Sequence, residues 1–429
     1  MQSEATTSRR RFLGRTTGIV GTAVAMPLVL PSSLFGANDR IRIGHIGVGR
    51  RGGANLRRFL SHTVAVCDVD KRHAESAQKL VLDRNGKCDV YSDFRGMLDR
   101  KDIDAVVIST PDHWHALPAV LACEAGKDVY VEKPMTLTIA EGRAMVEAAR
   151  KNNRIVQTGS QQRSRSDFRY ACELVRSGRI GKLQTVKVGL DGNIDASMLT
   201  PLGEPVPDCD PPKSLDYDFW LGPAPWRPYN PRRVHYHYRW WWDYSGGQLT
   251  NWGAHHLDIA QWGMGTDGSG PLEIEGEAKY DENGRLEVPV WYHVTYKYAD
   301  GVTVVCGPDY QKSDGDGVTF IGTKGEIHIS RQEFTSKPEE IIQRPIGEKD
   351  VHLYESTNHD QNWLDCIKSR ELPVCDVAIG HRSATVCHLG NIAIRTGRKI
   401  KWDPAKEQIM GDQEANQMVR RPYRSPWKI

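Results

Sequence analysis

The fold of this chain is decided by residues 41–52, which read IRIGHIGVGRRG. The apolar half of this stretch predicts a buried strand. The other half has the spacing Gly-x-Gly-x-x-Gly, at Gly47, Gly49 and Gly52, and predicts a tight turn that opens a helix. Asp68 ends the next apolar run, 21 residues after Gly47. A strand, a glycine turn, a helix and an acidic residue at the end of the second strand are typical of a dinucleotide-binding unit.

The residue types of this turn indicate how a nucleotide would bind. The glycines let the backbone turn sharply and let a pyrophosphate approach the helix N-terminus, where Arg50 and Arg51 lie. The carboxylate of Asp68 can accept hydrogen bonds from a ribose, and it favours NAD because it repels the 2′-phosphate of NADP. Lys71 and Arg72 are close enough in sequence to offset that repulsion, so NADP stays open.

Outward from this stretch, apolar runs alternate with helical patterns as far as residue 158. Repeated strand–helix units predict a doubly wound parallel sheet of the Rossmann type, an α/β arrangement with helices on both faces. The predicted strands are 41–47, 63–68, 105–109, 128–131 and 155–158, with a weaker one near Val90. The predicted helices lie around Arg57 and at 75–82, 117–125 and 139–150.

The chain after residue 158 has a different pattern, in which apolar and polar residues alternate between short turns. This alternation favours an α+β domain with a mainly antiparallel open sheet. Its predicted strands are 183–190, 290–298, 302–306, 318–322 and 326–329, with hairpin turns at 300–301 and 324–325 and helices at 168–177, 254–264, 359–369 and 383–396. We therefore divide the chain into an export segment (1–37), a Rossmann dinucleotide-binding domain (38–158) and a C-terminal domain for substrate binding and oligomerisation (159–429).

Composition and charge exclude several classes of protein. The 429 residues carry a net charge of +3, and the four arginines and one glutamate of residues 1–37 account for the whole surplus. The remainder lacks the basic surplus of a nucleic-acid-binding protein. No run of about 18 apolar residues follows the first forty positions, so we expect no stable membrane insertion. Nine scattered cysteines without a Cys-x-x-Cys pair argue against a disulfide framework or a zinc ribbon.

The N-terminus has the pattern of an export signal. Residues 8–13 read SRRRFL, and a short apolar run and several small residues follow them. A charged segment, a short apolar segment and small residues make a removable signal, and the pair Arg9-Arg10 resembles the twin-arginine type. We expect export by the twin-arginine machinery, to the periplasm or otherwise out of the cytoplasm. A disordered basic tail is the alternative.

Two further motifs come directly after predicted strands. Residues 110–115 read TPDHWH after the strand at 105–109, and residues 132–134 read EKP after the strand at 128–131. Ligands bind at the carboxyl ends of the strands in open α/β sheets, so we expect both motifs at the site. A lysine there can hold a substrate hydroxyl and stabilise developing negative charge. The alternative is a surface turn with a solvated lysine.

A third motif lies in the C-terminal domain, where residues 246–258 read GGQLTNWGAHHLD. Asn251, His255 and Asp258 are spaced i, i+4 and i+7, so they share one helix face if the helix begins by Asn251. A single histidine is more often a core residue than a functional one. Two adjacent histidines with a facing aspartate favour the lining of a pocket.

These three motifs, in this order, resemble those of the Gfo/Idh/MocA family of sugar and polyol oxidoreductases, and the resemblance covers nearly all of residues 40–429. It implies that Lys133 binds the substrate hydroxyl near the nicotinamide, that His255 transfers the proton and that Asp258 is a supporting polar group. The family often has Asp where this chain has Asn251. Any coupling of an aspartate to the histidine is therefore absent here.

The expected function is that of an exported NAD(P)-dependent oxidoreductase acting on a hydroxyl or keto group of a sugar, polyol or glycoside. No metal is expected. The expected residues are Lys133 and His255 for catalysis; Asn251, Asp258 and His115 for the substrate; and Gly47, Gly49, Gly52, Arg50, Arg51, Asp68, Thr110, Pro111 and Glu132 for NAD or NADP.

Three other functions stay open. Within the wider family, a glycosidase keeps its NAD, oxidises the sugar transiently and eliminates the aglycone. A metal-dependent hydrolase or isomerase would use the histidines at 113, 115, 235, 237, 255 and 256, because closely spaced histidines can ligate Zn²⁺, although no Glu-bearing helix motif joins them. A non-catalytic sugar-binding protein would suit the neutral Asn251.

Aromatic residues are concentrated in one segment. Seven of the twelve tryptophans lie between Trp220 and Trp262. Such a segment fits the packing of aromatic rings on sugars and fits a core or an oligomer contact equally well. We expect a homo-oligomer, because antiparallel sheets with an uncovered face commonly dimerise.

Overall fold

The computed structural model of this chain describes residues 40–190, 206–312 and 315–429. The predicted export segment lies outside these residues. Residues 41–429 form one unit with two sheets. No helix in the described ranges is long and apolar enough to cross a membrane.

The first sheet has six parallel strands in the order β3-β2-β1-β4-β5-β6, the order of a Rossmann sheet. Every residue of β1, β4 and β5 is buried, as expected for strands covered by helices on both faces. This confirms the predicted α/β half. The strands are β1 (Ile43–Ile46), β2 (Thr63–Cys67), β3 (Asp89–Tyr91), β4 (Ala105–Ile108), β5 (Asp128–Val131) and β6 (Val156–Thr158).

The helices around this sheet begin with residues that cap them. Asp70 accepts a hydrogen bond from the Arg72 amide at the start of α2, and Thr138 and Glu141 form a capping box at the start of α5. The helices are α1 (Arg50–Arg58), α2 (Lys71–Asn85), α3 (Phe94–Leu98), α4 (Ala116–Glu124) and α5 (Ile139–Lys151).

The second sheet has nine strands in the order β13-β12-β11-β7-β10-β9-β8-β14-β15. Only the pairing of β7 with β10 is parallel, so the sheet is mainly antiparallel, as predicted. The strands are β7 (Leu183–Gly189), β8 (Glu273–Lys279), β9 (Trp291–Lys297), β10 (Thr303–Gly307), β11 (Gly317–Gly322), β12 (Gly325–Ser330), β13 (Phe334–Lys337), β14 (Ile400–Asp403) and β15 (Gln408–Met410).

Four of these strands were missed by the sequence analysis: β8, β13, β14 and β15. Strand β8 reads EIEGEAK and buries only Ile274, while β13 and β15 each bury a single residue. Strands with so little apolar alternation have almost no periodic signal. The hairpin turn at Gly301 is confirmed, with a φ of +87° that suits glycine.

Helices cover one face of the second sheet. The helices α6, α9 and α12 pack on it, and the core lies between them and the strands. All nine cysteines are free and only Cys209 is exposed, so the thiols mostly serve as small core residues. The helices are α6 (Ser166–Arg176), α7 (Tyr217–Leu221), α8 (Gly247–Asn251), α9 (Gly253–Met264), α10 (Glu340–Gln343), α11 (His359–Ser369), α12 (Val377–Thr396) and α13 (Gln413–Gln417).

The segment that precedes α8 lies over the carboxyl edge of the first sheet. The Lys71 amide donates to the Ser214 carbonyl at 2.9 Å, and the His113 amide donates to the Tyr244 carbonyl at 3.2 Å. These backbone bonds join the loops after β2 and β4 to the C-terminal half of the chain. The carboxyl edge of the first sheet, where the motifs after β4 and β5 lie, is therefore at the bottom of a cleft that this segment covers.

Candidate functional site

The glycine turn has a backbone that only glycine fits. Gly47 has a φ of +79°, and a Cβ added there would lie 2.8 Å from the Thr110 amide nitrogen. A Cβ at Gly52 would lie 2.0 Å from the carbonyl oxygen of Gly47. Gly49 caps α1 without a side-chain hydrogen bond, so the helix presents its first backbone amides to the cleft. This cradle fits the pyrophosphate of a dinucleotide.

Asp68 is held in a fixed orientation at the end of β2. Its Oδ2 accepts from the Val48 amide at 2.9 Å, and its Oδ1 accepts from the Asp70 amide at 2.9 Å. The carboxylate lines the cleft beside the glycine turn, which is where a ribose would lie. Arg72 pairs with Asp70 at 2.8 Å, and neither Lys71 nor Arg72 lines the cleft. The site therefore suits NAD better than NADP.

A single cavity of about 770 Å³ brings most of the predicted residues together. The predicted residues that line it are Gly47, Gly49, Arg50, Arg51, Asp68, Thr110, Pro111, His115, Glu132, Lys133, Asn251 and His255. Gly52 lies behind the turn that it makes possible. Asp258 does not line the cavity.

Lys133 is held by the residue that departs from the family pattern. Its Nζ donates to the backbone oxygen of Asn251 at 2.9 Å and to Asn251 Oδ1 at 2.8 Å. Burial lowers the pKa of Lys133 to about 8. Asn251 in turn donates from Nδ2 to Gln248 Oε1 at 2.7 Å. The lysine is therefore oriented by a neutral amide. Its pKa lies close to neutral pH, so the side chain can both hold and lose its proton there.

His255 lies on α9 and faces the same cavity. Within the described residues its Nδ1 is buried without a hydrogen-bond partner. Burial, followed by the charge of Lys133, lowers its pKa well below the usual value. The ring is neutral at physiological pH, so it is always in the form that can accept a proton, but it is a weak base.

Glu132 links the two motifs that frame the cofactor end of the cavity. Its carboxylate accepts from Arg51 Nε at 2.8 Å and from Asn55 Nδ2 at 3.0 Å. Burial raises the pKa of this carboxyl, but the charge and hydrogen bond of Arg51 outweigh it, and the net shift is downward. Glu132 is thus a carboxylate that ties α1 to the end of β5.

His115 is a neighbour of the cavity whose ring nitrogens are already occupied. Nδ1 lies 2.7 Å from the Pro134 oxygen and Nε2 lies 2.9 Å from the Thr110 oxygen. The ring therefore joins the two loops after β4 and β5. Because both ring nitrogens already face carbonyl oxygens, His115 has none free for the substrate contact that we expected from the sequence.

Asp258 belongs to a buried ion pair on another side of α9. Its Oδ2 accepts from Arg163 Nε at 2.8 Å, and its Oδ1 accepts from Ser383 Oγ at 2.6 Å. Arg163 also pairs with Asp267 at 2.7 Å. Trp252, between α8 and α9, keeps helical backbone angles, so Asp258 is set apart from Asn251 by its pairing with Arg163 and Ser383 rather than by a break in the helix. Asp258 therefore joins α9 to Arg163 and to Ser383 of α12, and it does not line the cavity.

Several residues of the cavity were missed by the sequence analysis. Tyr238 donates to Asp112 Oδ1 at 2.9 Å and lines the cavity, and its position inside the aromatic segment was the available signal. Arg331 and Trp252 come together only in the folded chain, and no sequence signal marks Arg331. Other lining residues that the sequence analysis missed are Gln161, Trp220, Tyr236, Arg239, Trp240, Ser245 and Gln248.

The histidines do not assemble as the metal-dependent alternative requires. His113 Nε2 lies 3.0 Å from the Trp220 oxygen, and both nitrogens of His115 face carbonyl oxygens. In the described ranges, the group of three side chains close enough to share an ion is Asp70, His73 and His235. Of the six histidines in the metal-dependent alternative, this group contains His235 alone. Its aspartate, Asp70, forms an ion pair with Arg72.

Comparisons with known proteins agree with this geometry. Residues 41–160 match the Gfo/Idh/MocA "oxidoreductase family, NAD-binding Rossmann fold", and residues 168–429 match its "oxidoreductase family, C-terminal alpha/beta domain". A glycosyl hydrolase family 109 protein of Shewanella pealeana is 31% identical over 170 residues, which is 37% of this chain and 36% of that protein. An inositol 2-dehydrogenase of Salmonella paratyphi B is 32% identical over 149 residues, 33% of this chain and 43% of that protein.

The alignments thus span less than half the length of these curated relatives. Among solved structures, the WlbA dehydrogenase from Bordetella pertussis, in complex with NADH and UDP-GlcNAcA, has the same fold, with a TM-score of 0.63 at 18% identity over 85% of this chain and 99% of that one. The two family matches together cover nearly all of residues 41–429, in the order that the sequence motifs predict. This chain therefore belongs to the Gfo/Idh/MocA family of oxidoreductases, and its first domain is an NAD-binding Rossmann domain.

Proposed function

We propose that this protein is an exported NAD-dependent oxidoreductase that acts on a hydroxyl or keto group of a sugar, polyol or glycoside. The observation that carries the proposal is the cavity itself. Lys133 and His255, 122 positions apart in sequence, line the same space as Asp68 and the glycine turn. An amine and an imidazole next to a nucleotide cradle are the groups that alcohol oxidation needs.

The chain's own residues divide the work as follows. Bound NAD supplies the hydride acceptor. Lys133 as a cation holds the substrate hydroxyl and stabilises negative charge on its oxygen. The neutral ring of His255 accepts the hydroxyl proton. Asn251 keeps the ammonium group of Lys133 aimed into the cavity through its two oxygens.

The nucleotide is held tightly and does not dissociate between turnovers. His235 Nε2 lies 3.2 Å from Asp70 Oδ2, and its ring lies 4.6 Å from that of His73. His235 begins a short turn, His235–Trp240, and Tyr238 of the same turn donates a hydrogen bond to Asp112. This turn therefore covers the cleft from the ribose end to the lysine, and a bound dinucleotide leaves only when it opens. A second substrate then reoxidises the nucleotide in place.

Export by the twin-arginine machinery fits such a cofactor. A compartment outside the cytoplasm supplies no free nicotinamide nucleotide, so the nucleotide has to travel inside the folded protein. The pair Arg9-Arg10 supports this route, and the scattered free cysteines suit a chain that folds in the reducing cytosol. The half-exposed face of the second sheet supports a homo-oligomer, since β9 alternates buried and partly exposed residues.

The test is direct. Purified protein is denatured, the released nucleotide is identified, and a panel of sugars, polyols and glycosides is screened for a rise in absorbance at the reduced-nicotinamide band of intact protein. We expect NAD in near-stoichiometric amount and reduction by at least one sugar or polyol. In Lys133→Ala we expect the same nucleotide content, a higher KM and a lower kcat. Protein that holds no nucleotide and binds none would overturn the proposal.

A second candidate is an NAD-dependent glycosidase that oxidises the sugar transiently and eliminates the aglycone. The similarity to a glycosyl hydrolase family 109 protein favours it. The same screen distinguishes the two. Release of an aglycone from a nitrophenyl glycoside with no net change in nucleotide redox state supports the glycosidase. Net reduction without release supports the dehydrogenase.

A further inference from the structure

Arg331 lies on the rim of the cavity next to the catalytic histidine. It follows the end of β12, and its guanidinium carbon lies 4.6 Å from the centre of the Trp252 ring. The Trp252 ring lies 5.8 Å from that of His255. Arg331 and Trp252 both line the cavity. The arginine is thus placed where a substrate held by His255 would extend.

This guanidinium pairs with no acid among the residues that the structure describes. In the described part of the chain its side chain makes no ion pair and no hydrogen bond with a side chain. The neighbouring arginines are paired: Arg51 with Glu132 at 2.8 Å, and Arg165 with Asp167. Burial against the protein, followed by the charges of Arg165 and Arg51, lowers the pKa of Arg331. The acid that opposes this shift, Asp316, accepts a hydrogen bond from Gln311.

Stacking on Trp252 orients the guanidinium without using its N–H groups. An arginine over an aromatic face keeps its plane fixed by cation–π attraction while its five N–H donors stay free at the edge. Those donors match two oxygens of a carboxylate or phosphate. An unpaired cation held among other cations is unfavourable on its own, and an arriving anion removes that cost.

Arg239, which also lines the cavity, stacks on an aromatic ring in the same way. Its guanidinium carbon lies 3.9 Å from the centre of the Tyr236 ring, and its Nε donates to the Tyr236 oxygen at 3.0 Å. Its charge helps to lower the pKa of Lys133. Arg50, at the start of α1, lies on the same tyrosine at 4.2 Å. Arg239 thus lies near Lys133 and Arg50 lies at the glycine turn, whereas Arg331 is the cation near His255 and forms no ion pair with a described residue.

We propose that the substrate of this site is a sugar that carries an anionic group, a carboxylate or a phosphate, whose oxygens bind Arg331 while Lys133 and His255 hold the reacting hydroxyl. The proposal rests on the proposed function for the position of that hydroxyl. The proposal goes beyond that function because it names the class of substrate, which is uronates or sugar phosphates rather than neutral sugars.

Binding to the nucleotide-loaded protein tests the proposal without requiring turnover. Calorimetry compares matched pairs: glucuronate and galacturonate against glucose and galactose, and the two 6-phosphates against the same sugars. We expect an anionic member to bind about tenfold or more tightly than its neutral parent, as a charged hydrogen-bonded pair implies. A preference for uronates identifies a carboxylate as the ligand, and a preference for 6-phosphates identifies a phosphate.

Two variants assign the effect to its residue. Arg331→Gln removes the charge and keeps much of the side-chain volume, and we expect the preference for the anion to fall about tenfold while the neutral sugar binds as before. Arg57→Gln is the matched control, because this exposed arginine of α1 donates to the Gly53 oxygen outside the cavity and changes net charge equally. The Arg57→Gln protein should keep the wild-type preference for the anion.

The outcomes separate the two proposals. Equal binding of anionic and neutral sugars in every pair, or an unchanged preference in Arg331→Gln, overturns the anionic substrate. If neutral sugars still reduce the bound nucleotide, the oxidoreductase stands without it. If anionic sugars bind through Arg331 but no sugar reduces the nucleotide, the anion site stands and the oxidoreductase fails.

Discussion

Replacing Asn251 by Asp should move the pH dependence of this protein, because Asn251 is the residue that holds Lys133. In the native chain a neutral amide oxygen lies 2.8 Å from the lysine Nζ, and burial leaves the pKa of Lys133 at about 8. Asn251→Asp keeps the shape of the side chain and puts a carboxylate at the same place. An opposite charge favours the ammonium form, so the pKa of Lys133 rises.

The size of the shift follows from the distance. An opposite charge within about 4–6 Å moves a pKa by about 1–3 units. The pKa of Lys133 should therefore rise from about 8 to about 9–11, which corresponds to about 1.4–4 kcal/mol of extra stabilisation of the cation. Asn251→Ala is the control, because it removes the acceptor without adding a charge and leaves the pKa at or below its native value.

The assay is the rate of reduction of the bound nucleotide by a saturating sugar, measured from about pH 5 to pH 11. In the native protein the rate rises as His255 loses its proton, well below pH 6.5, and falls above about pH 8 as Lys133 loses its charge. In Asn251→Asp the descending limb should move to about pH 9–11. A descending limb that stays in place, or a rate that rises through pH 8, would refute the role of Lys133 as a cation.

Three other predictions concern the base, the ribose contact and export. His255→Ala should lower turnover by a factor on the order of 10²–10⁴ with the nucleotide content unchanged. His256 is fully buried outside the cavity, so His256→Ala should lower the melting temperature more than the rate. An inactive His256→Ala protein together with an active His255→Ala protein would contradict the placement of the helix. Asp68→Ala should weaken NAD about tenfold or more and NADP much less, measured by titrating nucleotide-free protein, and an equal loss for both would place the carboxylate away from the ribose. Replacing Arg9 and Arg10 together by Lys should leave precursor in the cytoplasm in a fractionation experiment, and normal export of that double variant would reject the twin-arginine route.

The sequence alone determined the first domain and its glycine turn. The turn at Gly47 needs a positive φ and room for a close backbone approach, and these are properties of the residue itself. Strands buried on both faces are continuous apolar runs, so the five main predicted strands of the first sheet differ from the observed ones by only a few residues at their ends. The EKP motif after one of them placed Lys133 at the carboxyl edge.

Only the tertiary structure decided what each polar residue of the site does. Asp258 pairs with Arg163, 95 positions away, and the same spacing that suggested a ligand contact is compatible with that ion pair. The pKa of Lys133 depends on how much protein surrounds it, and whether Arg331 pairs with an acid depends on which side chains lie near it in space. Local sequence patterns report the face of a helix or strand that is apolar. They do not report the partner that a charge meets, because that partner is brought by a distant part of the chain, and desolvation and Coulomb attraction act through space rather than along the sequence.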